Sequence, residues 1–207
     1  MNHPPSPDAP ISLIYQPSSY FERLSLGAIF TTACPLEVEL GSGDGSFLVQ
    51  YATLHPERNF LGVERLLGRL RKIDRKGRRA GRTNLRVMRI EAGYFLEYLL
   101  PPHSVAALHV YFPDPWPKRK HRKNRLINER FTELAHLVLV PNGIVHLRTD
   151  DADYFEQMTR VFQVSPHFAL AETPAELAAL TTDFERDFRA RGIPSQAASY
   201  QVAPRCP

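Results

Sequence analysis

The sequence predicts an α/β fold, with a doubly wound, mostly parallel sheet and helices on both faces. Short apolar runs alternate with segments of helical periodicity along most of the 207 residues. The first run, Leu36 to Leu40, leads directly into the glycine-rich turn Gly41-Ser-Gly43-Asp-Gly45, an order typical of strand–turn–helix units in such sheets. Val105 to Phe112 is almost continuously apolar, as expected of a strand covered on both faces.

Five strands, each followed by a helix, are expected in order along the chain. The strands are predicted at residues 36–40, 59–63, 85–90, 105–112 and 144–148, and the helices from residue 47, at 65–79, at 94–100, at 125–140 and from 152. Pro141-Asn-Gly143 should end the fourth helix, and Asp150 or Asp151 should cap the fifth. Residues 168–171 and 199–203 predict two further strands, paired as an antiparallel C-terminal edge.

The length suggests a single domain over residues 21–207, preceded by a flexible segment over residues 1–20. No apolar run approaches the roughly 20 residues of a membrane-spanning helix, and the first ten residues lack the basic start of a signal peptide. Cys34 and Cys206 form no CxxC pair, which favours a reducing cytoplasm. The histidines show no metal-ligand spacing, so no metal site is expected, and His109 and His146 are predicted to be structural.

Charge is divided unevenly along the chain. Segments 65–82 and 118–125 contain 15 of the 26 Lys and Arg residues and one of the 22 acids, so the remainder carries 11 basic and 21 acidic side chains. A solvated helix face is the usual meaning of one charge run. Two such runs flanking one candidate site instead predict a basic surface that binds a phosphate backbone.

A proline-stiffened turn follows the fourth predicted strand. In Val110-Tyr-Phe-Pro-Asp-Pro-Trp-Pro-Lys118, three prolines restrict the backbone around Asp114 and Trp116. The basic segment 118–125 begins at the end of this turn. An acid and an aromatic ring in a rigid corner beside a cationic run indicate a site where a small cationic or polar molecule meets a polyanion. Trp116 can stack on a base or cover a cation, and core packing is the alternative.

The glycine turn is surrounded by carboxylates. Glycines at positions 41 and 43 allow a ligand to approach the backbone closely, and Glu64, at the end of the second strand, suits the hydroxyls of a ribose. A nicotinamide cofactor is disfavoured because the spacing is GxGxG and because Glu39 and Asp44 would repel a pyrophosphate. The same acids would attract an ammonium and a sulfonium, although Glu39 could instead pair with a buried arginine.

Together these residues resemble the bacterial tRNA (guanine-N7)-methyltransferase family. The resemblance extends from residue 39 to about residue 192. The motifs that carry it are Glu39-Leu-Gly-Ser-Gly-Asp-Gly45, Gly62-Val-Glu64, Phe112-Pro-Asp-Pro-Trp116 with Lys118, Thr149-Asp150 and Thr182-Asp-Phe-Glu185. The proline-rich motif and the late Thr-x-Phe-Glu are specific, whereas the glycine turn is common to many folds.

The resemblance implies an enzyme that uses S-adenosylmethionine to methylate N7 of a guanine in tRNA, with Asp114 as the catalytic residue. The side chains implied to contact the cofactor are Glu39, Glu64 and Asp114, beside Gly41 and Gly43. The family usually has an Asp or Asn near the adenine after the third strand, where this chain has Glu91 and Ala92.

The resemblance also implies the substrate side of the site. Lys118 and Asp150 would contact the substrate nucleotide, and Thr182 and Glu185 would lie on a loop that closes over cofactor and base. tRNA would dock on segments 65–82 and 118–125. The family's N-terminal Gly-Arg element has no match in residues 1–35. The resemblance further suggests a monomer or a weak homodimer.

Three other functions remain open. Asp114-Pro-Trp116 loosely resembles the acid-Pro-Pro-aromatic corner of methyltransferases that act on exocyclic base amines, but the second consecutive proline is missing. A non-catalytic RNA-binding protein with this fold is the alternative from another class, and the acids at positions 39, 64 and 114 argue against it. A nicotinamide oxidoreductase ranks third.

Overall fold

The computed structural model describes residues 12–204, with only the backbone at residues 183, 184 and 189. One eight-stranded sheet has the order β1-β4-β3-β2-β5-β6-β8-β7. Its strands are β1 (Ile14–Tyr15), β2 (Leu36–Leu40), β3 (Asn59–Val63), β4 (Leu85–Met88), β5 (Val105–Tyr111), β6 (Leu139–Thr149), β7 (Phe168–Ala171) and β8 (Gln196–Val202).

Helices connect most of these strands. They are α1 (Leu26–Ile29), α2 (Ser46–Leu54), α3 (Leu67–Arg79), α4 (Ala92–Tyr94) with a π-helical turn (Phe95–Leu99), a 3₁₀-helix (Arg119–Asn124), α5 (Glu129–Val138), α6 (Ala152–Val164), α7 (Ala175–Ala179) and α8 (Asp183–Ala190). None of the helices within residues 12–204 has the length and apolar character to cross a bilayer, and α3 and α6 have 13 residues each.

The strand pairing confirms the predicted fold class. Strands β1 to β6 pair in parallel, whereas β8 is antiparallel to both β6 and β7. Apolar side chains pack on both sides of the sheet. One core cluster includes Val38, Leu108 and Phe162, and the other joins Phe47 of α2 to Ile73 of α3. The sheet is therefore covered by helices on both faces, with an antiparallel C-terminal edge.

The predicted end of the fourth helix is wrong. Pro141 to Gly143 do not follow the helix as a separate turn, because β6 begins at Leu139, directly after α5. The β5–β6 register passes from Val105 opposite Leu139 to Ala107 opposite Ile144. The three residues of the expected turn therefore lie in a bulge inside the strand, where Asn142 has a φ of 63°.

The start of α5 is also later than predicted. The helix begins at Glu129 rather than near Arg125, because Asn128 is extended and its side chain accepts a hydrogen bond from Phe131 N at 3.1 Å. Residues 119–124 form a separate 3₁₀-helix instead. The fifth helix, α6, is capped by Asp151, whose Oδ1 accepts from Tyr154 N at 2.7 Å.

The segment predicted to be loose, residues 1–20, is ordered in part. Residues 1–11 lie outside the described residues, but Ile14 and Tyr15 pair in parallel with β4. Asp74, the single acid of the first basic segment, accepts a hydrogen bond from Leu13 N at 2.7 Å. A buried Leu13 side chain completes this attachment, which has no signature in local sequence.

The remaining differences concern the end of one strand, the start of one helix and two additional helices. The third predicted strand stops at Met88 instead of Ile90, and the short helix after it starts at Ala92. Helices α7 and α8, between β7 and β8, were not predicted. They place residues 175–190 beside the candidate site.

Candidate active site

The glycine turn between β2 and α2 has a left-handed backbone. Gly41, Gly43 and Gly45 have φ angles of 83°, 55° and 78°, a region that residues with a Cβ rarely adopt. At Gly45 an added Cβ would approach Cγ2 of Ile73 to 2.8 Å. Gly41 N also donates to Val63 O at 2.9 Å, so the turn is fixed against both α3 and the end of β3.

A cavity of about 160 Å³ lies between this turn and the turn after β5, and we call it the active-site cavity. The order of the strands reverses between β2 and β5, the place where ligands bind in open α/β sheets. Five of the predicted site residues line it: Glu39, Gly41, Gly43, Asp114 and Thr182. The cavity is smaller than the roughly 300–1,000 Å³ of usual small-molecule sites.

Glu39 is a buried acid in the lining of this cavity. Its side chain lies near the end of β2, and the residue is 3% exposed. Within residues 12–204 its Oε2 has no hydrogen-bond partner. Burial, together with the charges of Asp44 and Glu64, raises the pKa of Glu39 to about 8. The alternative of a structural pair with a buried arginine is not what the structure shows, because Arg148 pairs with Glu185.

Glu64 fixes the glycine turn. Its Oε2 accepts from Gly43 N at 3.0 Å, and its Oε1 accepts from Leu66 N at 2.7 Å. The residue is buried and does not line the active-site cavity. Each carboxylate oxygen can accept more than one hydrogen bond, so the expected cofactor contact is compatible with these bonds and stays a prediction.

The proline-rich turn is held in an unusual backbone conformation. Phe112 and Trp116 have positive φ angles of 52° and 45°, which bulky side chains seldom adopt. Phe112 N donates to Arg148 O at 2.8 Å, and Arg125 Nε donates to Pro115 O at 2.7 Å. These two bonds hold the turn from both sides, with Asp114 exposed at the cavity.

Three other candidates lie around this turn without lining the cavity. Trp116 is half-buried, with its ring edge-on to His121 at 5.9 Å between centroids. Lys118 is exposed immediately before the 3₁₀-helix. Asp150 is half-buried, between the end of β6 and the cap of α6. Their predicted roles toward cofactor or nucleotide therefore stay predictions.

Thr182 and Glu185 form the reciprocal capping box that begins α8. Glu185 N donates to Thr182 Oγ1 at 3.0 Å, and Thr182 N donates to Glu185 Oε2 at 3.4 Å. Both residues are buried, and only Thr182 lines the active-site cavity. The Thr-x-Phe-Glu motif thus has a local structural role in addition to the predicted substrate contact.

Arg148 attaches this segment to the sheet. Its guanidinium donates to Leu177 O at 2.6 Å, to Leu180 O at 2.8 Å and to Glu185 Oε2 at 2.8 Å. It also lies over the ring of Tyr111, 4.7 Å from the centroid. One buried arginine therefore determines where the segment that carries Thr182 sits above the cavity.

Glu91 and Ala92 lie away from the cavity lining. The Glu91 carboxylate accepts from Gly93 N at 2.8 Å and from Tyr94 N at 2.7 Å, which caps α4. Neither Glu91 nor Ala92 lines the active-site cavity. Their predicted position near an adenine is not tested by this geometry.

A buried polar network lies on the same face of the sheet as Glu39. Glu37 Oε2 is 2.8 Å from His109 Nε2, and His109 Nδ1 is 2.9 Å from the Tyr111 hydroxyl. His146 is stacked on His109 and bonded to Ser199 Oγ at 2.8 Å. Both histidines are thus hydrogen-bonded parts of the core, as expected. Residues 12–204 contain no cluster of His, Cys, Asp and Glu side chains arranged to hold a metal ion.

The second basic segment is only partly free to bind a partner. Arg125 is buried and donates to Gln157 Oε1 at 2.8 Å, and Arg122 pairs with Asp153 at 2.9 Å. These two arginines stabilise the fold around the proline-rich turn. Besides Arg122, the exposed basic side chains of this segment are Lys118, Arg119, Lys120 and Lys123.

The first basic segment lies mainly on α3. Arg78 pairs with Asp74 at 3.0 Å, and Lys76 pairs with Asp44 beside the glycine turn. The exposed basic side chains between residues 65 and 79 are Arg65, Arg69, Arg71, Lys72, Arg75 and Arg79. Arg69 also lines the active-site cavity, which connects the basic helix to the site.

Sequence reasoning missed Arg148, Tyr111 and Arg69 as parts of the site. A signal for the first two was present, because polar residues occur at every second position of otherwise apolar strands. These pairs are Glu37 and Glu39 in β2, His109 and Tyr111 in β5, and His146 and Arg148 in β6. Alternation of this kind places the polar side chains on one face of a sheet.

Known proteins resemble this chain in sequence. A family profile described as a putative methyltransferase matches residues 33–196. A tRNA (guanine-N(7)-)-methyltransferase of Chromohalobacter salexigens is 39% identical over 152 residues, covering 73% of this chain and 62% of the relative. The corresponding protein of Syntrophotalea carbinolica is 42% identical over 64% of this chain and 57% of its own length. This chain thus spans about three fifths of the length of these two relatives.

A third relative and two solved structures also resemble this chain. The tRNA (guanine-N(7)-)-methyltransferase of Alkalilimnicola ehrlichii is 32% identical over 83% of this chain and 73% of its own length. Among solved structures, the 16S rRNA methyltransferase KamB has a TM-score of 0.63 at 17% identity, over 86% of this chain and 93% of that one. TrmN of Thermus thermophilus has a TM-score of 0.59 at 18% identity, over 83% and 45%. The structural similarities show a shared fold, and the sequence similarities show that the chain belongs to the tRNA (guanine-N7)-methyltransferase family.

Proposed function

We propose that this protein transfers a methyl group from S-adenosylmethionine to N7 of a guanine in tRNA. The observation that carries the proposal is the active-site cavity, where buried Glu39 and exposed Asp114 meet at the reversal point of the sheet. Family membership supports both the cofactor and the tRNA substrate.

The residues of the cavity fit a positively charged cofactor. Glu39 has a buried Oε2 without a hydrogen-bond partner among the described residues, and an ammonium would supply the missing donor and charge. Asp114 adds a second carboxylate to the same cavity, whereas the carboxylate of Asp44 is paired with Lys76. We assign Glu39, Gly41 and Gly43 to the methionine part of the cofactor. We assign Glu64 to its ribose, and Glu91 and Ala92 to the surroundings of its adenine.

The chemistry expected of the protein is mainly positioning. When bound, S-adenosylmethionine supplies a methyl group on a sulfonium, and guanine N7 already carries a free lone pair. No side chain has to remove a proton from N7. Asp114 would orient the base or the cofactor, and holding two reactants in line can accelerate a reaction by many orders of magnitude.

The neighbouring side chains shape this position. Burial raises the pKa of the Tyr111 hydroxyl well above its ordinary value, so Tyr111 stays neutral in the cavity wall. The capping box and Arg148 place Thr182 above the cavity. We assign Thr182, Glu185, Lys118 and Asp150 to the substrate side of the site.

The exposed basic side chains of α3 and of residues 118–123 would bind the tRNA backbone. Each phosphate neutralised by Lys or Arg adds salt-dependent affinity that does not depend on sequence. We expect one folded domain that includes β1 as well as the predicted range from residue 21 onward. We expect it to act in the cytoplasm, where tRNA is available, as a monomer or weak homodimer.

The test is incubation of the protein with labelled S-adenosylmethionine and unmodified total tRNA, followed by nucleoside mass spectrometry. We expect label in 7-methylguanosine, at positions located by chain cleavage at that nucleoside. Label in an N-methylated exocyclic amine would instead support the alternative acceptor. Calorimetry that detects tRNA binding without S-adenosylmethionine binding would support a non-catalytic RNA-binding protein.

A further inference from the structure

A second, larger cavity also lies beside the N-terminal end of α3. It measures about 530 Å³ and is located where β1, β3 and β4 end. Tyr15 and Tyr20 contribute aromatic rings, and Arg65, Arg71 and Arg89 contribute guanidinium groups. It shares no lining residue with the active-site cavity. We call it the arginine cavity.

Its charge is not balanced by the surrounding protein. Within residues 12–204 no Asp or Glu lines the arginine cavity, and Arg65, Arg71 and Arg89 have no acidic partner in that range. Arg89 Nε donates to Arg65 O at 3.2 Å, which links the two residues at the rim. Three cations around one hollow repel each other, and an anionic ligand would relieve this repulsion.

The remaining walls suit a flat ring. Apolar side chains, including Leu67, Leu70 and Ile90, lie beside the two tyrosines. Tyr94 Oη donates to Tyr20 O at 2.8 Å, and β1 is paired to β4, so the wall is formed without a ligand. The volume falls in the range of about 300–1,000 Å³ of small-molecule sites. Proteins usually recognise an unpaired nucleotide by binding its phosphate with a guanidinium group and stacking its base on an aromatic ring.

The first turns of α3 join the two cavities. Arg69 lines the active-site cavity, whereas Arg71 on the same helix and Arg65, two residues before it, line the arginine cavity. An RNA chain with its target guanine at the first cavity can therefore follow the basic helix to the second. This continuity favours RNA over a free nucleotide.

We infer that the arginine cavity binds an unpaired nucleotide of the RNA substrate, with its phosphate on Arg65, Arg71 and Arg89 and its base against Tyr15 or Tyr20. The inference rests on the proposed tRNA substrate and adds a subsite to it. Recognition of an extruded nucleotide would let a shape-reading protein select one region of a folded RNA.

The test compares charge reversal inside and outside the cavity. The first protein is the double variant Arg71→Glu/Arg89→Glu. The matched control is the double variant Lys72→Glu/Arg75→Glu, which reverses two exposed charges on α3 outside the cavity lining. Affinity for an unmodified tRNA transcript is measured by fluorescence anisotropy at several salt concentrations. We expect the cavity pair to weaken binding at least about tenfold more than the control pair, with S-adenosylmethionine affinity unchanged in calorimetry.

A second variant tests the base contact, and it keeps the inference testable if the charge-reversal variant fails to fold. Tyr20 is 42% exposed, so Tyr20→Ala should fold normally, weaken tRNA binding about tenfold and leave the salt slope unchanged. Equal effects of the two charge-reversal pairs, together with a silent Tyr20→Ala, would show a general basic surface and overturn the inference. Loss of S-adenosylmethionine affinity would assign the cavity to the cofactor and also overturn it.

The outcome is separable from that of the proposed function. Methylation of tRNA by the wild-type protein is measured first, and its absence would contradict the proposed reaction. If that reaction is present, the cavity variants should raise KM for tRNA while kcat at saturating tRNA is retained.

Discussion

Replacing Glu39 with glutamine should stabilise the protein at alkaline pH while weakening its affinity for S-adenosylmethionine. Burial raises the pKa of Glu39 from an ordinary 4.5 to about 8. Between these two values the folded state keeps a proton that the unfolded state releases. Because the folded state binds more protons there, this group lowers wild-type stability as pH rises from about 4.5 to 8.

The magnitude follows from the pKa difference. One pKa unit corresponds to about 1.4 kcal/mol, so a shift of about 3.5 units costs the wild-type fold about 5 kcal/mol above pH 8. Glutamine has nearly the same shape and does not ionise. Allowing for local relaxation, we expect Glu39→Gln to raise the free energy of unfolding by about 2–4 kcal/mol at pH 8.5 and by almost nothing at pH 5.

Urea denaturation followed by circular dichroism at pH 5, 7 and 8.5 measures this difference. Glu37→Gln is the matched control, since Glu37 lies two residues earlier on the same strand face. Its pKa is lowered to about 2 by His109 and Arg58 despite the opposing effect of burial. That carboxylate stabilises the fold above pH 4.5, so the control should lose stability at neutral pH. An effect of Glu39→Gln that is equal at pH 5 and pH 8.5 would refute the reasoning.

The same protonation governs ligand binding. If the Glu39 carboxylate binds an ammonium, the protein must release a proton when the ligand binds below pH 8. Wild-type affinity for S-adenosylmethionine should then rise about tenfold per pH unit between pH 6 and 7.5. Glu39→Gln should bind at least about tenfold more weakly, as expected for a lost charge-assisted hydrogen bond, and without this pH dependence. Calorimetry in buffers of different ionisation enthalpy measures the released proton.

Three further variants test the remaining parts of the site. Asp114→Ala should lower turnover by about 100-fold or more at an unchanged urea midpoint, because Asp114 is exposed; near-normal turnover at saturating cofactor and tRNA would rule out its positioning role. Arg148→Met should cost about 3–5 kcal/mol in urea denaturation, because it removes the guanidinium that faces the buried carboxylate of Glu185, and adding Glu185→Leu should recover much of that loss. Lys120→Glu should weaken the affinity for tRNA measured by filter binding and flatten the salt dependence of that affinity. Arg122→Glu should mainly break an ion pair with α6. A wild-type tRNA affinity that does not change with salt concentration would contradict RNA docking on this surface.

The strands and the glycine turn could be predicted because local pattern determines them. Leu36 to Leu40 and Asn59 to Val63 have the same bounds in the structure as in the prediction, since continuous apolar runs bounded by turn residues leave few alternatives. The meeting of Glu39 with Asp114 at one cavity also follows from topology, because both residues lie near the carboxyl ends of adjacent parallel strands.

The remaining features depend on contacts between distant residues. From local sequence, Pro141 to Gly143 are expected to end a helix. In the structure they form a bulge within β6, where it pairs with β5. The attachment of Leu13 to Asp74 spans 61 residues. The basic segment 118–125 could not be divided into structural and free charges from sequence, because the partners of Arg125 lie on α6 and in the proline-rich turn.

Glu37 and Glu39 show how such contacts distinguish a structural acid from a functional one. Both are buried on the same face of β2, so burial acts to raise the pKa of both. Arg58 and His109 supply hydrogen bonds and positive charge to Glu37, and its pKa falls to about 2. Glu39 has a buried oxygen without a partner in the described part of the chain and a pKa of about 8. A buried carboxylate oxygen without a hydrogen-bond partner destabilises the fold unless a ligand supplies one, and this is the physical reason to place the cationic end of the cofactor at Glu39.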